Sequence, residues 1–169
     1  MIFIPEPCYL GRQMMSRTEI YNLAKRFRSS IDQALTDGAF DNDLDFMGFP
    51  SGRCGYTSEL LAKWLHENGV ETLYMSGQYG YGWNSQNHAW LETYDGLVID
   101  ITRDQFKHRR GKFYSNDKVY VGEQDAFRNA FRLDKPVPDY VEPNQMKLMG
   151  ETKLQHDFRR RYEIISQYL

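Results

Sequence analysis

The segment Gly96-Leu97-Val98-Ile99-Asp100-Ile101-Thr102 sets a carboxylate inside an otherwise apolar run. A strand of that composition is buried, and a buried carboxylate persists only beside a group that hydrogen-bonds or neutralises it. Any fold open to this chain has to bring such a partner to Asp100. The preceding run, Asn87-His88-Ala89-Trp90-Leu91-Glu92-Thr93, reads as a neighbouring strand and carries one in His88. Tyr94-Asp95-Gly96 joins the two as a hairpin, with glycine where a positive φ is often required. A three-residue connection sets Thr93 opposite Leu97 and Trp90 opposite Asp100. His88 then shares a face with Asp100, one diagonal step away and within side-chain reach. A two-residue connection sends the pair to opposite faces.

A third group completes the pattern. Cys54 stands in Ser51-Gly52-Arg53-Cys54-Gly55-Tyr56, at the start of a helix predicted from Cys54 to Asn68 and ended by Gly69. A thiol is a useful nucleophile as thiolate; a helix N-terminus lowers its pKa, and a histidine alongside takes its proton. The histidine in turn needs a third group to fix its tautomer, which a carboxylate supplies. A free cysteine on a helix is ordinarily a small hydrophobe, and a lone strand histidine is ordinarily structural. Core packing, however, has little reason to demand Gly-Arg-Cys-Gly at a helix start. Taken together, Cys54, His88 and Asp100 are expected to form a catalytic triad.

The surrounding pattern is that of an α+β chain. Ser16-Arg17-Thr18-Glu19 fits a capping box, followed by Ile20, Leu23, Ala24, Phe27, Ile31 and Leu35 at helical spacing up to Gly38. Residues 37–50 read as an acidic, turn-rich surface loop. In the second helix Leu61 and Leu65 share a face with Cys54 and Ser58, which would bury it against a sheet with the sulfur at the edge. Strands are predicted over residues 70–76, 87–93 and 97–102, with another near 118–122. Residues 77–82 (Gly-Gln-Tyr-Gly-Tyr-Gly) read as a loop over the site that ends at residues 83–87. Gln78, Trp83, Asn84, Gln86 and Asn87 are therefore the candidates for substrate contact and for the second oxyanion donor, beside the Cys54 backbone N–H. Residues 124–133 are expected to form a short helix and residues 155–169 a terminal one, with Arg159-Arg160-Arg161 on its solvated face. One domain over residues 1–169 suffices: a helical part (1–50), a catalytic core (51–106) and a C-terminal extension (107–169).

Composition narrows the function classes. A net charge of -2 and a pI near 6.1 give no electrostatic case for nucleic acid. No apolar run approaches the ~20 residues that span a bilayer, and residues 1–7 are too short for a signal peptide. With only two cysteines, Cys8 and Cys54, there is no disulfide framework. A cytoplasmic setting is expected unless export proceeds without such a signal. His66, His88, His108 and His156 lack the paired spacing of metal ligands, so no metal or other cofactor is expected. The oligomeric state is left open.

At these residues the sequence resembles the papain-like, transglutaminase-like superfamily. The likeness covers residues 52–106. In that superfamily a cysteine at a helix N-terminus faces a histidine and an aspartate on adjacent strands. Cys54, His88 of His-Ala-Trp-Leu-Glu and Asp100 of Gly-Leu-Val-Ile-Asp match those positions. The resemblance implies a papain-like or transglutaminase-like core, with the cysteine helix packed on a small antiparallel sheet. It also implies acyl transfer at amide bonds, as a peptidase, deamidase or transglutaminase, on a protein or peptide substrate. Arg53-Cys54-Gly55-Tyr56 is also similar to arylamine acetyltransferases, whose flanking order differs. From a different class, the same fold could serve as a catalytically idle binding module, with its tyrosine-rich surface as the interface.

Overall fold

The computed structural model of the chain describes residues 15–80, 82, 85–138 and 152–169. Helix α1 (Arg17–Thr36) starts at the expected capping box. The Ser16 hydroxyl takes the Glu19 N–H at 3.3 Å, and the Glu19 carboxylate takes the Ser16 N–H at 2.7 Å. Its apolar stripe of Ile20, Ala24, Phe27, Ile31 and Ala34 is buried. Helix α2 (Cys54–Glu67) ends at Asn68, and Gly69, at φ +83°, turns the chain into the sheet. Leu60, Leu61 and Leu65 of α2 are almost inaccessible to solvent. Each such leucine contributes roughly 1.5–3 kcal/mol of transfer free energy, which locks the helix carrying Cys54 onto its neighbours.

The sheet follows as β1 (Thr72–Tyr79), β2 (Gln86–Thr93), β3 (Val98–Asp100), β4 (Tyr120–Gly122), β5 (Arg132–Leu133) and β6 (Val137–Pro138). All pairings are antiparallel, in the order β4-β3-β2-β1, and β5 and β6 both line the outer edge of β1. Helix α3 (Lys153–Ser166) follows. The architecture is α+β. Leu91 and Ile99 of the sheet belong to one core with α1 and α2; Met75, Trp90 and Val98 pack on the opposite face with Phe106, Phe127 and Phe131. Among the described residues no helix is long and apolar enough to cross a membrane.

Four expectations are corrected. Residues 37–50 are not a mere surface loop: Phe40 and Phe46 stack at 4.1 Å inside the core, and Asp43 is buried. Residues 77–79 belong to strand β1, because Gly77, Gln78 and Tyr79 continue its ladder against His88, Asn87 and Gln86. Residues 124–133 form only a 3₁₀ turn (Arg128–Ala130) and the two residues of β5. Phe127 and Phe131 are drawn into the aromatic core around His88 rather than lined up on one helical face. Arg161 is not solvated. It is 3% exposed, and its guanidinium holds Asp43 at 2.8 and 3.0 Å and Asp45 at 2.5 Å. A net-polar helix face concealed this, because sequence periodicity does not tell a charge in water from a charge in a buried pair.

Candidate active site

The hairpin register is that of the three-residue connection. Leu91 pairs with Ile99 and Glu92 with Val98, and the Thr93 N–H donates to Leu97 at 2.9 Å. Gly96 supplies the positive φ, +90°, that closes the turn. That register puts His88 and Asp100 on one face, with His88 Nε2 2.7 Å from Asp100 Oδ2 and both side chains at most 2% exposed.

Strand β3 stops at Asp100, so no strand lies beside the first half of β2 on that side. The first turn of α2 fills the gap. Ser58 Oγ donates to the Ala89 carbonyl at 3.3 Å, and the Ala89 backbone also hydrogen-bonds the Cys54 sulfur. A helix on one face of the sheet thereby delivers its thiol to a histidine whose side chain lies on the other. Arg53, the residue before the helix, makes no side-chain cap, whereas α1 and α3 both begin with full capping boxes. The first N–H groups of α2 are therefore not occupied by a capping side chain and point past Cys54.

The electrostatics favour a charged pair. Burial pushes the Cys54 thiol up, but hydrogen bonding and charge from His88, with the Ala89 backbone, outweigh it and bring the thiol below its ordinary value. Burial pushes His88 down, and the charge and hydrogen bond of Asp100, aided by Cys54, raise it to about 9. Asp100 is pushed up by burial and held below the usual carboxylate range by His88, Arg103 and the Thr102 N–H. The Thr102 N–H reaches Asp100 Oδ1 at 3.0 Å and Arg103 Nε reaches Oδ2 at 3.3 Å. The Arg103 guanidinium lies 3.7 Å from the Tyr120 ring centre and is fixed by Asp125 at 2.6 Å. Trp90, Phe106, Phe127 and Phe131 surround the imidazole with ring centres 5.1–5.8 Å away. Such an apolar sleeve excludes water and strengthens the His88–Asp100 bond.

The other candidates fall differently. Gln78 accepts from Arg132 at 3.2 Å, and Gln86 accepts from Arg109 at 2.8 Å. Both amide oxygens therefore serve ion-like contacts at the rim. Gln78 and Asn87 face each other across β1 and β2 and are exposed, on the opposite side of the sheet from the His88 side chain. Trp83, Asn84 and Cys8 lie outside the described residues. Gln105, which the sequence reading passed over, sits at the site. Its Nε2 is 3.0 Å from His88 Nδ1, and its Oε1 takes the Gly52 N–H at 3.3 Å. Its place five residues after the strand aspartate, on the 3₁₀ turn Arg103–Phe106, gave no periodicity by which to find it. Among the described residues no group of three His, Cys, Asp or Glu stands together as a metal site. An open depression of about 330 Å³ between α1 and β4 includes none of Cys54, His88 and Asp100.

Comparison with known proteins leaves this geometry to stand on its own: no family model, no curated protein and no solved structure matches the chain.

Proposed function

We propose that the chain is a cysteine-dependent acyl-transfer enzyme acting on amide bonds of protein or peptide substrates, built on a papain-like or transglutaminase-like core. The observation that carries this reading is the buried 2.7 Å contact between His88 and Asp100 beside a thiol drawn below its ordinary pKa. In the reaction His88 Nδ1 takes the Cys54 proton, since Nε2 is committed to Asp100. The thiolate attacks the carbonyl carbon, a C–S bond forms, and the π electron pair moves to oxygen. The first N–H groups of α2 meet that oxyanion. Collapse breaks the C–N bond, and His88 returns its proton to the leaving amine. Water or a second amine then attacks the thioester, giving hydrolysis or transamidation. Asp100 orients the ring and stabilises its charged form without taking the proton.

The test is the pH dependence of iodoacetamide labelling at Cys54, read by mass spectrometry in wild type and in His88→Ala. Labelling should stay fast well below pH 8 in wild type and slow sharply in the variant. A Cys54 that labels no faster than Cys8, or is indifferent to losing His88, would overturn the triad and favour a binding module.

A further inference from the structure

Lys107-His108-Arg109-Arg110 sets three permanent positive charges and a histidine in consecutive positions of a chain whose net charge is -2. All four residues are exposed, and among the described residues none of the four forms an ion pair. Arg28, Arg103, Arg128 and Arg161, by contrast, each hold a carboxylate within 2.8 Å. The basic turn is nevertheless fixed to the site. Phe106, where it starts, is buried and sets its ring edge-on to the His88 imidazole, with ring centres 5.1 Å apart. The Phe106 carbonyl takes the Arg109 backbone N–H at 2.9 Å, which holds Lys107 and His108 at the tip. The Arg109 guanidinium donates to Gln86 Oε1 at 2.8 Å. Gln86 and His88 are two apart on β2, so both side chains leave the same face of the sheet. On the other flank Gln105 takes the N–H of Gly52, in the turn that presents Cys54. Lys107 follows Gln105 by only two residues. The cationic tip therefore starts no more than about 8 Å from the Gln105 backbone, roughly one Debye length at physiological salt.

We propose that this turn recognises acidic residues flanking the amide that Cys54 attacks, which makes the substrate an acidic peptide segment. The proposal rests on the acyl-transfer reading above and names its substrate class. Like charges in consecutive positions repel one another, and a carboxylate from outside relieves that repulsion where none among the described residues does. Because the turn is clamped at Phe106 and Arg109, little ordering is left to do when the carboxylates arrive. A local positive field on a chain of net negative charge also steers acidic segments to this face and turns basic ones away. One turn carrying three charges is a short track for a nucleic-acid backbone, whose single-stranded sites run about 4–16 nucleotides.

The test uses peptides that alkylate Cys54, so it needs no turnover. Each carries a chloroacetyl group on a central diaminopropionic acid, flanked on both sides by glutamates, by serines or by lysines. The thiolate attacks the chloroacetyl methylene, a C–S bond forms and chloride leaves. Rates are read by mass spectrometry and divided by that of the serine peptide, which cancels any change in the thiol itself. In wild type the glutamate peptide should lead by about tenfold, the worth of two or three exposed ion pairs, and the lysine peptide should trail. The lead should shrink below about twofold in about 1 M salt. Lys107→Glu/Arg110→Glu should abolish it. A glutamate lead that is absent in wild type, or that persists in the double variant, would overturn the assignment. So would a chloroacetyl oligothymidylate that outruns the glutamate peptide, which would mark the turn as a nucleic-acid contact. Failure of the reading beneath looks different. A glutamate lead with no p-nitrophenolate burst from p-nitrophenyl acetate ends the acyl-transfer reading, and the substrate assignment with it; a burst without a lead ends the substrate assignment alone.

Discussion

Replacing Asp100 with asparagine tests the central pair most directly. In the folded chain His88 is raised from 6.5 to about 9, chiefly against burial and by Asp100. At roughly 1.4 kcal/mol per pKa unit, that rise is a preference of about 3 kcal/mol for the charged ring. Asparagine keeps the shape and removes the charge, so burial among four aromatic rings should pull His88 well down from about 9. The balance between thiolate–imidazolium and thiol–imidazole then shifts toward the neutral form by up to about 300-fold. Cys54 alkylation at neutral pH should drop by about two orders of magnitude and recover only in alkali. Stability gives an independent reading, best taken in a Cys54→Ala background where no thiol titrates. A group whose folded pKa is raised stabilises fully below its unfolded value and loses that contribution as pH climbs through the folded one. Unfolding free energy should therefore fall by less than about 3 kcal/mol, since Cys54 no longer helps to raise His88, beginning near pH 6.5 and ending as pH passes the folded value, and Asp100→Asn should flatten that decline. A variant that keeps both the alkylation profile and the alkaline decline of its parent would refute the reasoning.

Two further outcomes follow from packing. Arg161→Met leaves Asp43 with only Arg160, at 2.5 Å and partly exposed, as its cation. Because Asp43 is then a buried, undercompensated charge, the variant should lose about 3 kcal/mol in denaturant melts, and a loss below about 1 kcal/mol contradicts the burial argument. Gly77→Ala would set a Cβ 2.9 Å from the Arg132 carbonyl and 3.0 Å from Phe131 Cβ. Since backbone cannot yield as a side-chain tip does, a cost of about 1–3 kcal/mol is expected, and a neutral thermal shift would show that β5 is not held against β1.

The sequence made some of these elements readable and hid others for physical reasons. Asp100 announced a partner because an apolar strand cannot solvate a carboxylate, and the length of Tyr94-Asp95-Gly96 decided the face on which His88 would meet it. Helix starts and stops were equally plain at Ser16, Gly38, Cys54 and Gly69, where one residue type performs one local task. Arg103, Arg161 and Gln105 were opaque for the opposite reason. Each takes its meaning from a residue far off in the chain: Asp125 for Arg103, and Asp43, more than a hundred positions earlier, for Arg161. Nothing local distinguishes such a side chain from a solvated one. The strap Phe127–Phe131 was misread because its aromatics fit helical spacing as well as they fit a cluster around a ring.

The grip of Arg161 on Asp43 and Asp45 has a consequence for when reactivity appears. The turn entering α2 is braced from behind by a helix that the ribosome makes nearly a hundred residues after Cys54. While that helix is still unmade, Asp43 has no buried cation to fold around, and the segment that presents the thiol has no fixed seat. A chain caught midway through synthesis, or clipped ahead of its last helix, would carry a cysteine of ordinary temper. The setting of the thiol thus depends on a contact made late in the chain, so the same ion pair that steadies the fold also serves as its safety catch.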